Sequence, residues 1–209
     1  MLTRIREIYR KFKGKPFTFF LKDEIGCGSL LDVGCGENSP IKYAVKRGYS
    51  VGLDLFKPSI LKSKQAKLHD EYVLASINHL CFKPNSFQTV ALLDVLEHLS
   101  KSDGYKIMNQ VEGLANDKVV VFTPNGFLKQ QEYESNLYQK HLSGWTVHEL
   151  ENLGFRVYGM NGFRFFLTEK AAYRINQLWY FKLVDFSQAF AFRCPMLAFQ
   201  LLGVKRVRG

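Results

Sequence analysis

Four short apolar runs set the rhythm of the chain: Leu30–Val33, Tyr49–Leu53, Tyr72–Ser76 and the uninterrupted Phe87–Leu93. A fifth, Lys118–Phe122, follows at similar spacing, and the stretches between them carry helical periodicity. Helices are predicted at Ala44–Arg47 (closed by Gly48), Lys57–Lys67, after Tyr105, and over Thr146–Leu153 (closed by Gly154). Strands that alternate with helices need crossover connections, and strands apolar throughout need cover on both faces. The pattern therefore predicts a doubly wound, mostly parallel α/β sheet. Phe155–Met160 reads as a sixth strand and Met196–Val204 as a seventh, pairing antiparallel beside it.

At the two ends the pattern differs. Leu2, Ile5, Ile8 and Phe12 recur every three or four residues among Arg and Lys, which reads as a basic amphipathic helix stopped by Gly14 and Pro16. A short helix over Phe19–Glu24 follows it. Residues 1–28 are accordingly read as an N-terminal basic helical segment and 29–209 as the main domain. Within that domain, Ala171–Arg193 is a helical insertion rich in Trp, Tyr and Phe.

The chemistry concentrates where the first run meets its turn. Leu30-Leu31-Asp32-Val33-Gly34-Cys35-Gly36 carries a buried strand straight into two glycines, and the next apolar run ends in Asp54. Without Cβ atoms a backbone can approach a ligand closely, and a carboxylate at the neighbouring strand end can accept from both hydroxyls of a ribose. The dinucleotide fingerprint requires a third glycine where this chain has Ser39, so a nicotinamide cofactor does not fit.

This wording resembles the class I S-adenosylmethionine-dependent methyltransferases, and the likeness continues in order over about Ser29 to Met160. Ser76-Ile77-Asn78-His79-Leu80-Cys81-Phe82 is similar to the family's adenine loop, with Ser76 where the family usually has an acid. Asp94-Val95-Leu96-Glu97-His98-Leu99 follows the fourth strand. The resemblance implies S-adenosylmethionine as cofactor, bound by Asp32, Gly34, Cys35, Gly36, Asp54, Leu55, Ser76, Ile77, Asp94 and Val95. Asp32 either orders the glycine turn or receives the donor's amino group, and Ile77 packs on the adenine. Cys35 is read as a small buried side chain with no base to make it a nucleophile.

His98 and His141 are the candidate bases for an acceptor hydroxyl or amine. His98 is placed on the first turns of the helix after the fourth strand; His141 lies in Tyr138-Gln139-Lys140-His141-Leu142-Ser143-Gly144-Trp145, after a polar loop expected over the carboxyl ends of the strands. Asp94, Glu97 and His98 stand at i, i+3 and i+4, one face of a helix. That stretch resembles the quinone-biosynthetic O-methyltransferases, in which the corresponding residues can hold a divalent metal.

Composition changes this picture only at its edges. Four cysteines, at 27, 35, 81 and 194, lack the paired spacing of a zinc site and are read as reduced thiols in the cytoplasm. No run reaches membrane-spanning length. The formal charge of +10 suits an anionic surface, and the basic and aromatic ends have the ingredients of an interfacial contact with anionic lipid. Thr-Pro-Asn-Gly-Phe at 123–127 and His-Leu-Ser-Gly-Trp at 141–145 resemble a subgroup associated with glycan and cell-envelope biosynthesis. The expected acceptor is a small molecule, sugar or lipid-linked hydroxyl. RNA or protein methylation and non-catalytic donor binding stand as alternatives, with nucleic acid ranked lower because no binding appendage is recognisable.

Overall fold

The computed structural model describes residues 17–44, 48–130, 136–168, 175 and 177–207. Seven strands form one sheet: β1 (Leu30–Val33), β2 (Ser50–Asp54), β3 (Glu71–Leu74), β4 (Phe87–Leu93), β5 (Ala115–Pro124), β6 (Arg156–Phe163) and β7 (Ala198–Arg206). Their order across the sheet is β3-β2-β1-β4-β5-β7-β6. The first five pair in parallel; β7 inserts antiparallel between β5 and β6.

Pleating distributes the central strands between two cores. Val90 and Leu92 of β4 and Val119 and Val121 of β5 pack with Ile107, Met108 and Val111 of a helix on one face. Ala91, Leu93, Val120 and Phe122 alternate to the other face and meet Phe20, Leu21 and Ile25. The helices are α1 (Phe17–Ile25), α2 (Lys57–Gln65), α3 (Lys101–Leu114), α4 (Val147–Asn152) and α5 (Leu178–Arg193). No described helix is long and apolar enough to cross a membrane.

After β1 the chain makes a 3-10 turn at Pro40–Tyr43, capped by the Ser39 hydroxyl; of the helix expected over Ala44–Arg47, residues 45–47 lie outside the described residues. Leu96–His98 is likewise a single 3-10 turn, and α3 begins only at Lys101, where Ser100 accepts from the Asp103 amide. Asp94, Glu97 and His98 therefore do not share an α-helical face. The basic segment Leu2–Phe12 lies outside the described residues, as do 169–174 and 176 within the aromatic stretch.

Candidate functional site

The carboxyl ends of β1, β2 and β4 lie side by side where the strand order reverses, the place at which open α/β sheets form a ligand crevice, and the two glycines after β1 divide its construction. The Gly34 and Cys35 amides both donate to the Leu53 carbonyl, at 2.7 and 2.9 Å, which ties the turn to β2. Gly34 and Gly36 have φ of 73° and 57°, in the left-handed region that favours glycine. A Cβ on Gly34 would strike Val95 Cγ2 at 2.6 Å, whereas a Cβ on Gly36 would meet nothing within 4 Å. Gly34 is required by packing, whereas Gly36 faces open space.

Asp54 ends β2 half-buried beside that space. Its Oδ2 accepts from the Gly36 amide and its Oδ1 from the Phe56 amide, both at 2.8 Å. Burial raises its pKa, and the two amides pull the other way. Each oxygen has a second lone pair, so the carboxylate can still accept from a diol. Leu55, next to it, is exposed, and Val95 is buried against Gly34. On the far wall, Ser76 and Ile77 are half-buried; the Ser76 hydroxyl accepts from the Asn78 amide at 3.3 Å and Ile77 packs against the larger core.

Asp32 is occupied from behind. Its Oδ2 accepts from the Ser39 hydroxyl at 2.6 Å and lies 2.9 Å from His69 Nε2, all three side chains being buried. The contacts present are those of a residue that orders the turn. His69, 37 residues away, carries no local signal that would single it out in the sequence. Cys35 is buried, and desolvation first, then Asp32 and Asp54, push its thiol pKa far up, so it is no nucleophile.

Opposite the glycines stands a second polar cluster. Asp94 closes β4 at a φ of 56° and accepts from Gln200 Nε2 at 3.3 Å. Part of Asp94 is open to solvent, but desolvation by the groups packed around its carboxyl lifts its pKa to about 7, against hydrogen bonds shared with Glu97 and Gln200. Glu97 is buried and raised well above the usual carboxylate range by desolvation and then by Asp94, while Thr123 donates to its Oε2 at 3.0 Å. No cation pairs with either carboxyl among the described residues. Thr123 and Gln200 enter from distant strands and were not foreseen.

The 136–145 segment is stitched onto the turn after β4. The Leu142 and Ser143 amides donate to the Glu97 carbonyl at 2.8 and 3.1 Å, and the Ser143 hydroxyl and Trp145 indole donate to the Leu96 carbonyl at 3.1 and 3.2 Å. Trp145 is fully buried beneath Lys101, whose Nζ lies 3.8 Å from the ring centre. This stitching brings the His98 and His141 rings to 4.9 Å. His98 Nδ1 faces the Lys140 carbonyl at 3.2 Å and His141 Nδ1 the Leu128 carbonyl at 2.7 Å. A carbonyl only accepts, so Nδ1 carries the hydrogen in each ring and Nε2 keeps a lone pair. Desolvation lowers the pKa of both, that of His98 to about 4, so both rings are neutral. One ligand atom each from Glu97, His98 and His141 fall within 4.8 Å of one another.

Residues 31–121 match a family model described as "Methyltransferase domain". Over those residues the chain is similar to methyltransferase domains, and its seven-stranded sheet with an antiparallel last strand has the Rossmann-like methyltransferase fold. Beyond that match, 142 residues are 28% identical to an uncharacterised protein of Methanocaldococcus jannaschii, covering 65% of this chain and 58% of that protein. Among solved structures, an S-adenosylmethionine-dependent methyltransferase from Mesorhizobium loti is similar at a TM-score of 0.58 with 16% identity, over 93% of this chain and 99% of its own. Magnesium protoporphyrin IX methyltransferase from Synechocystis PCC 6803, with bound S-adenosylmethionine, is similar at 0.54 with 14% identity, over 90% and 75%. At these identities the likeness is one of fold, a sheet whose strand order reverses between β1 and β4.

Proposed function

We propose that the chain transfers the methyl group of S-adenosylmethionine to a hydroxyl of a small-molecule, sugar or lipid-linked acceptor. The observation that carries this reading is the pairing of Gly36, open to the crevice, with Asp54 at the adjacent strand end. When bound, the donor supplies an electrophilic methyl on a sulfonium with a good leaving group. The chain's own contribution is mostly alignment and exclusion of water. Asp54 would hold the ribose, Gly36 would let the backbone pass the methionine portion, and Ile77 would cover the adenine.

On the acceptor side, His141 Nε2 has no hydrogen-bond partner among the described residues and is held in the tautomer that can take a proton. This nitrogen would take the proton released by the acceptor hydroxyl as its oxygen is methylated and the donor leaves as the neutral thioether. A second reading is favoured by the same geometry: Glu97, His98 and His141 could together hold a divalent cation. Carbonyl-oriented imidazoles beside a carboxyl pair that lacks a cationic partner fit such an ion, which would supply Lewis acidity toward the acceptor oxygen. Titration of the protein with Mn2+, read by electron spin resonance, separates the two: His141→Gln abolishes tight binding if the cluster is a metal site, and tight Mn2+ binding is absent from both proteins if His141 is a base.

The methyl acceptor class is tested with labelled S-adenosylmethionine and a whole-cell extract, afterwards separated into glycan, polar-lipid, RNA and protein fractions. The reading predicts alkali-stable label, as in a methyl ether. Label only in RNA or protein would overturn it.

A further inference from the structure

Helix α5 is apolar on two faces, and only one is used within the fold. Tyr180, Val184 and Ala191 are buried, and the Gln188 amide and Ser187 hydroxyl bond to β6. On the adjoining face Trp179, Leu183, Phe186 and Phe190 are 57%, 40%, 52% and 55% exposed. Their spacing of four, three and four residues confines them to about 60° of helical arc. Beyond the helix, Met196 and Leu197 continue the exposed apolar surface at 79% and 50%.

This surface leads to the rim of the crevice. Asn125, immediately after β5, donates from Nδ2 to the Pro195 and Met196 carbonyls at 3.1 Å and to the Ala198 carbonyl at 2.9 Å. Phe127, two residues past Asn125, and Leu142, next to His141, are also exposed. By the helical angle, Lys182 and Arg193 flank one side of the stripe, with Asp185 further round. The chain as a whole carries a formal charge of +10.

The geometry points to this face as a docking surface for an anionic lipid bilayer. Its exposed aromatics would enter the headgroup boundary, Lys182 and Arg193 would meet anionic headgroups, and the crevice would open at the level where a lipid-anchored acceptor presents its polar end. Charge decides against a second copy as the occupant: two copies stacked on this stripe would bring like charge to like, whereas an anionic surface attracts it. Naming the acceptor as lipid-anchored rests on the proposed methyl transfer; the docking itself does not.

The chain has two tryptophans, and Trp145 is fully buried, so a change in emission on adding vesicles reports on Trp179. The full chain is titrated with vesicles of phosphatidylcholine containing phosphatidylglycerol, and with phosphatidylcholine alone, at low salt. A blue shift with the anionic vesicles, affinity at least tenfold weaker for the neutral ones, and a further tenfold loss in the Leu183→Ser/Phe186→Ser/Phe190→Ser variant are expected. These positions are exposed, and unchanged S-adenosylhomocysteine binding by the variant shows that it is folded. Equal vesicle binding by variant and parent overturns the proposal, as does a protein that ignores vesicles and forms a dimer which the variant dissolves. Vesicle binding by a protein that binds no S-adenosylhomocysteine leaves the docking standing and removes the methyl-transfer reading.

Discussion

Placing one methyl group at either of two glycines separates packing from ligand binding. Both Gly34 and Gly36 adopt positive φ, so alanine at either costs about 1–2 kcal/mol in backbone strain. At Gly34 the new Cβ also lies 2.6 Å from Val95 Cγ2, deep in overlap, and overpacking adds about 1–3 kcal/mol. At roughly 2–4 °C per kcal/mol for a domain of this size, Gly34→Ala should lower Tm by about 10 °C and Gly36→Ala by about half of that. In binding the order reverses. The Gly36 Cβ projects into empty crevice, where a donor would have to make room for it, and a steric penalty of about 1–3 kcal/mol is a loss of roughly 5–150-fold in affinity. Differential scanning fluorimetry gives the first quantity and calorimetric titration with S-adenosylhomocysteine the second. Gly36→Ala binding the ligand as tightly as the parent would refute the placement of the donor, and Gly34→Ala no less stable than Gly36→Ala would refute the packing argument.

Three further outcomes follow from the same contacts. Gly104→Ala in α3 gains about 1 kcal/mol of helix propensity, but its Cβ would sit 2.4 Å from Trp145 Cζ2; a net loss of about 1–2 kcal/mol is expected in urea denaturation. His98 is held neutral by burial, with a pKa near 4 against an ordinary 6.5, so the unfolded chain binds the extra proton first and stability falls as pH drops from about 6.5 to about 4. The difference in Tm between the parent and His98→Gln should narrow or reverse across that window; a difference that does not vary with pH would contradict it. Asp32→Asn keeps the acceptor shape but removes the charge facing Ser39 and His69, and should cost about 1–3 kcal/mol of stability by chemical denaturation.

The sheet was legible because its central strands are buried on both faces. Phe87–Leu93 is apolar throughout for that reason, and its predicted bounds coincide with β4. The antiparallel last strand was anticipated, although its place between β5 and β6 is a non-local fact. Ahead of the expected Ala44–Arg47 helix, Ser39 and Pro40 open a single 3-10 turn, too short to leave an apolar periodicity in the sequence. Similarly, the i, i+3, i+4 spacing of Asp94, Glu97 and His98 suggested an α-helical face, but Asp94 sits at positive φ and the turn after it is 3-10. What joins Glu97 and His98 to His141 is a loop pinned to the Leu96 and Glu97 carbonyls, about 45 residues away in sequence. His69, Thr123 and Gln200 were invisible for the same reason: each acquires its role from a partner 26 or more residues distant.

A sulfonium nucleoside beside Asp54 is the ligand on which the proposed chemistry depends. Isothermal titration of the unmodified protein with S-adenosylhomocysteine, repeated with Asp54→Ala, measures this directly. The predicted result is saturable binding at one site per chain, weakened at least tenfold by the substitution. Absence of heat with either S-adenosylhomocysteine or S-adenosylmethionine, or binding that the substitution leaves untouched, would contradict it.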